Sequence, residues 1–466
     1  MNFIKYDKED IKKRIVVDNP WWQTSEIAEF FQPFKYRAYF DSFHSLVTTK
    51  RPKRAVVLMG PRRVGKTVML NQSIQKLIDS GIQSRKIIYI SLDKPIYSRL
   101  DPDYLMSLSL EAASLENPEG CYFFFDEIQY LKEWENYLKT MVDSYHETKF
   151  IVSGSAAAAL RRKSQESGAG RFTDFVLPPL TFAEFIDMTG KEGMLKHADR
   201  VSEAFDIVAF NQEFIKYIHY GGYPEVVMNP EMQDDLKRYV TQDIIDKVLL
   251  KDLPNLYGVR DTQDMNSFFN VVAYNSSNET SMANMERDLQ ISRHLLDNYI
   301  EYLQAAFLIK KLSRVDVNAR RLKKEQQFKL FLTNVSFRSA MFTPIESTSD
   351  MFGGLVETAI FDQYLHRSYD IRYARWKDGR KTREIDFVSV DRATQKPNWA
   401  LEIKWSNSGD TSNLRSFMEA NKLQAGWITT IDQQDLSKDI KKVPAAIMCY
   451  MIGKTPEIIS EAHDGI

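Results

Sequence analysis

The chain has 466 residues, 43% of them hydrophobic and 27% charged, with 19 glycines and 16 prolines, which excludes collagenous, low-complexity and wholly disordered classes. At roughly 150 residues per domain, such a length predicts about three domains. Lys and Arg number 62 against 63 Asp and Glu, so no global field draws the chain to nucleic acid and any basic surface must be a local patch. Its two cysteines, Cys121 and Cys449, do not make a disulfide framework. Neither a secretory pattern in Met1 to Arg14 nor an apolar window of bilayer length is present, and the expectation is a soluble cytoplasmic protein with no membrane partner.

From Ala55 to about Leu180, short apolar runs alternate with helical stretches. Val56 to Met59, Lys86 to Leu92, Tyr122 to Phe125, Phe150 to Val152 and Phe172 to Leu177 have strand length, while Val68 to Leu77 and Trp134 to Tyr145 carry apolar residues at helical spacing. Such alternation predicts an α/β fold with a parallel sheet covered on both faces. Beyond Pro178 and Pro179, Thr181-x-x-Glu184 is a capping box, and helical periodicity runs to about Lys310, broken by Gly221, Gly222 and Pro224. Ser281 to Leu289, Ser292 to Gln304 and Phe307 to Leu312 read as helix, helix, strand, the order of a winged helix-turn-helix, with Ser292 as an N-cap. A basic run follows from Lys310 to Lys329. The remainder reads as a small α/β domain: a helix at Leu355 to Leu365, strands at Ile371 to Trp376, Ile385 to Val390 and Trp399 to Lys404, a helix near Asn413 to Ala420 and a strand at Ala425 to Thr430. The expected boundaries are a P-loop core at 1–180, a helical lid at 181–245, a helical or winged-helix domain at 246–345 and the last α/β domain at 346–466.

The segment Gly60-Pro61-Arg62-Arg63-Val64-Gly65-Lys66-Thr67 is G-x-x-x-x-G-K-T between a predicted strand and a predicted helix. Its glycines let backbone N–H groups and a helix N-terminus converge on phosphate oxygens, with Lys66 on the β and γ phosphates of ATP and the Thr67 hydroxyl on Mg²⁺. Tyr122 to Glu127 ends an apolar strand in Asp126-Glu127, the pattern in which Asp126 holds magnesium and Glu127 orients and deprotonates the attacking water. Ser153 and Ser155 end the next strand as candidate γ-phosphate sensors, and Arg171, with Arg161 and Arg162, is a candidate arginine finger. A serine satisfying a turn and a solvated loop arginine are the plainer alternatives.

These motifs, with Asn19-Pro20-Trp21-Trp22, the FFFDEIQYL stretch, the Gly170-Arg171 pair, LPPLTFAEF and Gly221-Gly222-Tyr223-Pro224, resemble a bacterial and archaeal family of AAA-type ATPases over most of the chain. The resemblance implies an AAA+ sheet, a helical lid after Thr181, and oligomerisation with sites between protomers. The loop departs from the typical pattern in carrying Arg62 and Arg63 where small residues are usual.

In the last domain, Glu357, Asp386, Glu402 and Lys404 occur in an order similar to the PD-(D/E)xK nuclease core. Glu402 and Lys404, two apart, share a strand face, and Asp386 can meet them from the adjacent strand. The resemblance implies a second Mg²⁺ or Mn²⁺ on Asp386 and Glu402, with Lys404 positioning water and Glu357 assisting. Domains of this fold are also found without activity, and Glu-x-Lys is also an ordinary solvated pair. The reading is an ATP-hydrolysing AAA-type enzyme controlling a DNA-binding, nuclease-like module in repair or defence. Its alternatives are a nucleotide-gated DNA-binding scaffold with a vestigial nuclease fold, and a remodelling ATPase acting on a protein partner.

Overall fold

The computed structural model describes residues 6–97, 100–131, 133–154, 170–195, 205–254, 259, 261–320, 327–365, 370–407 and 409–454. They form two compact units that divide between Leu177 and Pro178.

The first unit is built on five strands: β1 (Ala55–Met59), β2 (Ile87–Ser91), β3 (Tyr122–Asp126), β4 (Lys149–Gly154) and β5 (Phe172–Val176). All pairings are parallel, in the order β2-β3-β4-β1-β5. Every residue of β1 to β4 is buried, which is why each reads as a continuous apolar run and not as an alternation. Helices Lys66–Asp79, Pro102–Ala113 and Trp134–Ser144 make the crossovers. Edge strand β2 is closed by the Asn19-Pro20-Trp21-Trp22 segment: Asn19 takes both main-chain groups of Tyr89 (2.7 and 2.9 Å), and both indole N–H groups donate to Ile87 O (3.0 and 2.9 Å). Side-chain amide and indole groups thus satisfy an edge that would otherwise invite another strand.

The second unit carries an eight-stranded sheet, β13-β12-β11-β10-β9-β7-β8-β6. Its strands are β6 (Glu279–Thr280), β7 (Ile309–Val315), β8 (Phe328–Leu332), β9 (Asp370–Asp378), β10 (Lys381–Val390), β11 (Pro397–Glu402), β12 (Gly426–Thr430) and β13 (Ile440–Pro444). Helices Thr262–Tyr274, Met282–Leu289 and Arg293–Ala305 precede the β7–β8 hairpin, and β6 pairs with β8. Ser292 stands at the N-cap position of the third helix without a capping hydrogen bond. After helix Phe352–Tyr364, β9, β10 and β11 are antiparallel neighbours; helix Ser412–Asn421 then leads to β12, parallel to β11. Parallel pairing of β7 with β9 makes the sheet continuous.

The capping box at Thr181 forms in both directions, Glu184 N to Thr181 Oγ1 and Thr181 N to Glu184 Oε2, each 3.1 Å. Phe182, Phe185, Phe210 and Phe214 pack in one core with Phe352, Phe387 and Ala446, so the helices expected as a lid share their core with the C-terminal sheet. Gly222 has φ 94°, and a Cβ there would lie 2.2 Å from the Asn334 amide, which reserves the position for glycine. Both cysteines are free and buried, and among the described residues no helix is long and apolar enough to cross a membrane.

Candidate functional site

The loop between β1 and helix Lys66–Asp79 curls under two constraints. Gly60 has φ 151°, and a Cβ on it would fall 2.1 Å from Leu177 O; Gly65 has φ 96° just before the helix. Lys66 Nζ, buried, donates to Gly60 O (2.9 Å) and Pro61 O (2.7 Å) of its own loop. Arg37, which sequence reasoning missed, is buried and donates from Nη1 to Val64 O at 2.8 Å. No motif marks an arginine this far upstream, so only the fold brings it to the loop. Of the two loop arginines, Arg62 is partly buried and Arg63 is exposed at φ 66°.

Asp126, at the end of β3, collects this region. Its Oδ2 accepts from Thr67 Oγ1 at 2.7 Å and Tyr89 OH at 2.8 Å, and its Oδ1 accepts from Ser153 Oγ and from Glu127 N at 3.1 Å. Burial and the adjacent Asp126 carboxylate push the Tyr89 hydroxyl well above its ordinary pKa, so it remains a donor. Glu127 sits at φ 57°, with Gln129 Nε2 donating to its Oε2. Burial raises the pKa of Glu127, Lys66 opposes the rise and Asp126 adds to it. A hydroxyl and a carboxylate 2.7 Å apart at a helix N-terminus are hard oxygen donors of the kind Mg²⁺ takes, so the residues present fit that ion. Ser153 reaches Asp126 and the Glu127 amide (3.2 Å). Arg171 Nε lies 3.0 Å from Asp143 Oδ1 at the surface, whereas Ser155, Arg161 and Arg162 fall outside the described residues.

In the second unit, the register Phe387 opposite Leu401, one step on, brings Asp386 beside Glu402, and the β9–β10 register shifts between Ile385 and Val388, a bulge that re-aims Asp386. Asp386 Oδ2 accepts from Ile403 N at 2.6 Å, and Lys404 Nζ lies 3.0 Å from Glu402 Oε1. Burial alone would lower the Lys404 pKa; Glu402 and Asp386 outweigh it and hold the ammonium charged, which suits it to stabilising negative charge and not to taking a proton. Glu402 Oε2 is buried without a hydrogen-bond partner among the described residues. A cleft of about 690 Å³ opens beside Lys404, lined in part by Asn211, Gln212, Asp350, Trp405 and Asp432.

Glu357 does not join Glu402. It turns to Lys329, a residue that the basic run Lys310 to Lys329 marks for the surface but whose side chain is only 3% exposed. Lys329 Nζ lies 2.7 Å from Glu357 Oε1, 2.7 Å from Glu384 Oε1 and 3.9 Å from Asp386 Oδ1. Burial would lower the Lys329 pKa, but Glu357, Asp386 and Glu384 together hold it above the ordinary lysine range. Burial pushes Glu357 up to about 8 and raises Asp386 as well, with Lys329 opposing both shifts. Among the described residues no group of three or more His, Cys, Asp or Glu is arranged to hold a metal ion, so the second Mg²⁺ or Mn²⁺ expected on Asp386 and Glu402 finds no such ligand group. The basic residues of that domain divide. Arg372 and Arg383 are paired with Asp370 and Asp378, and Arg375 with Glu279, while Lys377, Arg380 and Lys381 are exposed on the β9–β10 hairpin. Arg367 lies outside the described residues, as do Arg321, Lys323 and Lys324.

The parallel five-stranded sheet, its glycine loop and the Thr67–Asp126 contact define a P-loop NTPase α/β unit. The family model of the AAA domain matches residues 52–186, making this an AAA-type domain. Two models of domains of unknown function, DUF8612 and DUF4143, match residues 211–349 and 352–450. The chain is similar to an uncharacterized protein of Haemophilus influenzae, 26% identical over 338 residues, covering 72% of this chain and 78% of that one. Similar too are two uncharacterized proteins of Methanocaldococcus jannaschii. MJ1544 is 25% identical, covering 72% of each chain, and MJ1637 is 22% identical, covering 81% of this chain and 80% of that one. Among solved structures, C. elegans PCH-2 overlaps 48% of this chain and 61% of its own at 12% identity and a TM-score of 0.28. A DNA replication initiation factor overlaps 59% of this chain and 85% of its own at 13% identity and a TM-score of 0.25; likenesses this slight carry no weight for either fold or function.

Proposed function

We propose that the chain is a Mg²⁺-dependent ATPase whose nucleotide cycle controls DNA binding by residues 178–457. The observation that carries the ATPase reading is the joining of Thr67 to Asp126, with Glu127 next in the chain, beneath a glycine loop that admits no side chain at Gly60. The loop amides and Lys66 would bind the ATP phosphates. Mg²⁺ on Thr67 and Asp126 would neutralise phosphate charge. Glu127 would orient the attacking water and take its proton, and Ser153 keeps Asp126 and the Glu127 amide in place.

DNA binding is supported by the order of helix, strand, two helices and hairpin over residues 262–332, which is that of a winged helix, with Arg293 and His294 exposed on its third helix and Asn298 partly so. Exposed Lys377, Arg380 and Lys381 supply a second basic surface. A nuclease-like fold, active or vestigial, is supported by the order helix, three antiparallel strands, helix, parallel strand over residues 352–430, the order of a PD-(D/E)xK core. The test is ATP hydrolysis with and without single-stranded, duplex and branched DNA at stated salt. The expected result is stimulation by at least one form; hydrolysis indifferent to all three would defeat the DNA reading and direct the search to a protein partner.

A further inference from the structure

Strand β8 is Phe-Lys-Leu-Phe-Leu, buried at every position. On a strand, Lys329 and Phe331 project to the same side, and Phe331 stacks on Phe361 with ring centroids 4.2 Å apart and tilts against Phe387 at 5.9 Å. These apolar contacts fix the strand, and with it the place of Lys329. Its Nζ reaches helix Phe352–Tyr364 at Glu357 and strand β10 at Glu384 and Asp386, with the Tyr373 ring 5.4 Å away. A buried ammonium requires this: its protons must be satisfied and its charge neutralised. A charge-assisted hydrogen bond to Glu357, an ion pair with Glu384 at the same 2.7 Å and a third carboxylate nearby meet the requirement.

A divalent cation would make conflicting demands on the same oxygens. Mg²⁺ and Ca²⁺ need oxygen lone pairs at about 2.0–2.6 Å, directed at the ion. Here the carboxylates face an ammonium that is fixed by covalent attachment to a packed strand and that would repel a second cation. Glu402, the remaining acidic residue, has Lys404 Nζ at 3.0 Å. We propose that the ammonium of Lys329 is the resident cation of this carboxylate cluster, beside Asp386, one of the two residues on which a nuclease of this fold would hold a divalent metal, so that the second unit engages nucleic acid without cutting it. The proposal rests on reading residues 352–430 as nuclease-like, and decides between the two forms of that reading. Strand β8 then serves twice, since the hairpin of one module supplies the counter-charge of the next.

The test counts Mn²⁺ bound per full-length chain by electron paramagnetic resonance at pH 8.5, without nucleotide or DNA. The proteins compared are the wild type, Asp386→Asn, Lys329→Met and Lys329→Met/Asp386→Asn. Any Mn²⁺ held at the P-loop is common to all four and cancels. Wild type and Asp386→Asn should hold equal Mn²⁺; Lys329→Met should hold one more, lost again in the double variant. A wild type holding one more Mn²⁺ than Asp386→Asn would overturn the proposal, as would a folded Lys329→Met holding no more than wild type. Should Lys329→Met fail to fold, the first comparison decides alone. Failure of the DNA reading is separately visible as ATP hydrolysis indifferent to DNA, which leaves the Mn²⁺ count untouched.

Discussion

Lys66 and Lys329 are both buried, one in each unit, and they differ in what receives their protons. Lys66 donates to two main-chain carbonyls of its own loop, whereas Lys329 donates to the Glu357 carboxylate and forms ion pairs with Glu384 and Asp386. Carbonyl acceptors are neutral, so exchanging them for phosphate oxygens gains charge pairing. Carboxylates already neutralise the ammonium, and no anionic ligand improves on them. On the proposed function, the same kind of side chain would bind a ligand in one unit, while in the other it is paired with carboxylates of its own chain. A third buried lysine, Lys149, marks the limit of the series: its Nζ donates to Thr49 O and Arg54 O, and burial lowers its pKa to about 8.

The largest effects belong to the first lysine and its neighbour. Lys66→Ala should lose ATP binding and with it all nucleotide-dependent behaviour, read by equilibrium binding of labelled ATP. Glu127→Gln should keep ATP and slow its hydrolysis by about 10²–10⁴-fold; hydrolysis at the wild-type rate would remove Glu127 as the base.

Lys329→Met should destabilise the second unit by about 3–5 kcal/mol, because buried carboxylates lose their counter-ion. Adding Glu357→Gln should recover part of that loss, so a denaturant-unfolding double-mutant cycle yields a coupling of about 0.5–3 kcal/mol, and strict additivity would contradict the pairing.

The smallest effect is a pH dependence at Lys149. Its pKa is about 8 in the fold against an ordinary 10.5, so between those values the unfolded chain binds more protons and stability rises with pH. Relative to Lys149→Met, the wild type should gain on the order of 1–3 kcal/mol between pH 7.5 and 10, measured as unfolding free energy in denaturant. A flat difference would mean that burial leaves the lysine with the same pKa in the folded and unfolded chain.

The AAA-type domain is legible because its motifs are local in sequence. A strand, a glycine loop and a helix N-terminus occupy consecutive residues, and strands buried on both faces announce themselves as apolar runs; the run Tyr122 to Phe125 predicts β3, which is found at Tyr122–Asp126. Two helices and four strands of the last domain are legible by the same periodicities, but β13 and helix Ala445–Lys454 are not, since Ile-Lys-Lys-Val-Pro is short and carries two charges. Lys329 is hidden because a basic run suggests a solvated face. The signal that could have found it is a single charge enclosed by Phe328 and Leu330, since a strand buried on both faces has no solvent for it. No pattern in the sequence links Arg37 to Val64 O or Tyr89 to Asp126, because those contacts exist only once the parallel sheet has formed.

The most direct measurement of nucleotide-gated DNA binding is the affinity for labelled duplex and single-stranded DNA, by fluorescence anisotropy at fixed salt, of ATP-loaded Glu127→Gln against Lys66→Ala. A difference of tenfold or more in Kd, about 1.4 kcal/mol, is the predicted result. Equal affinities in both proteins, with and without ATP, would contradict it.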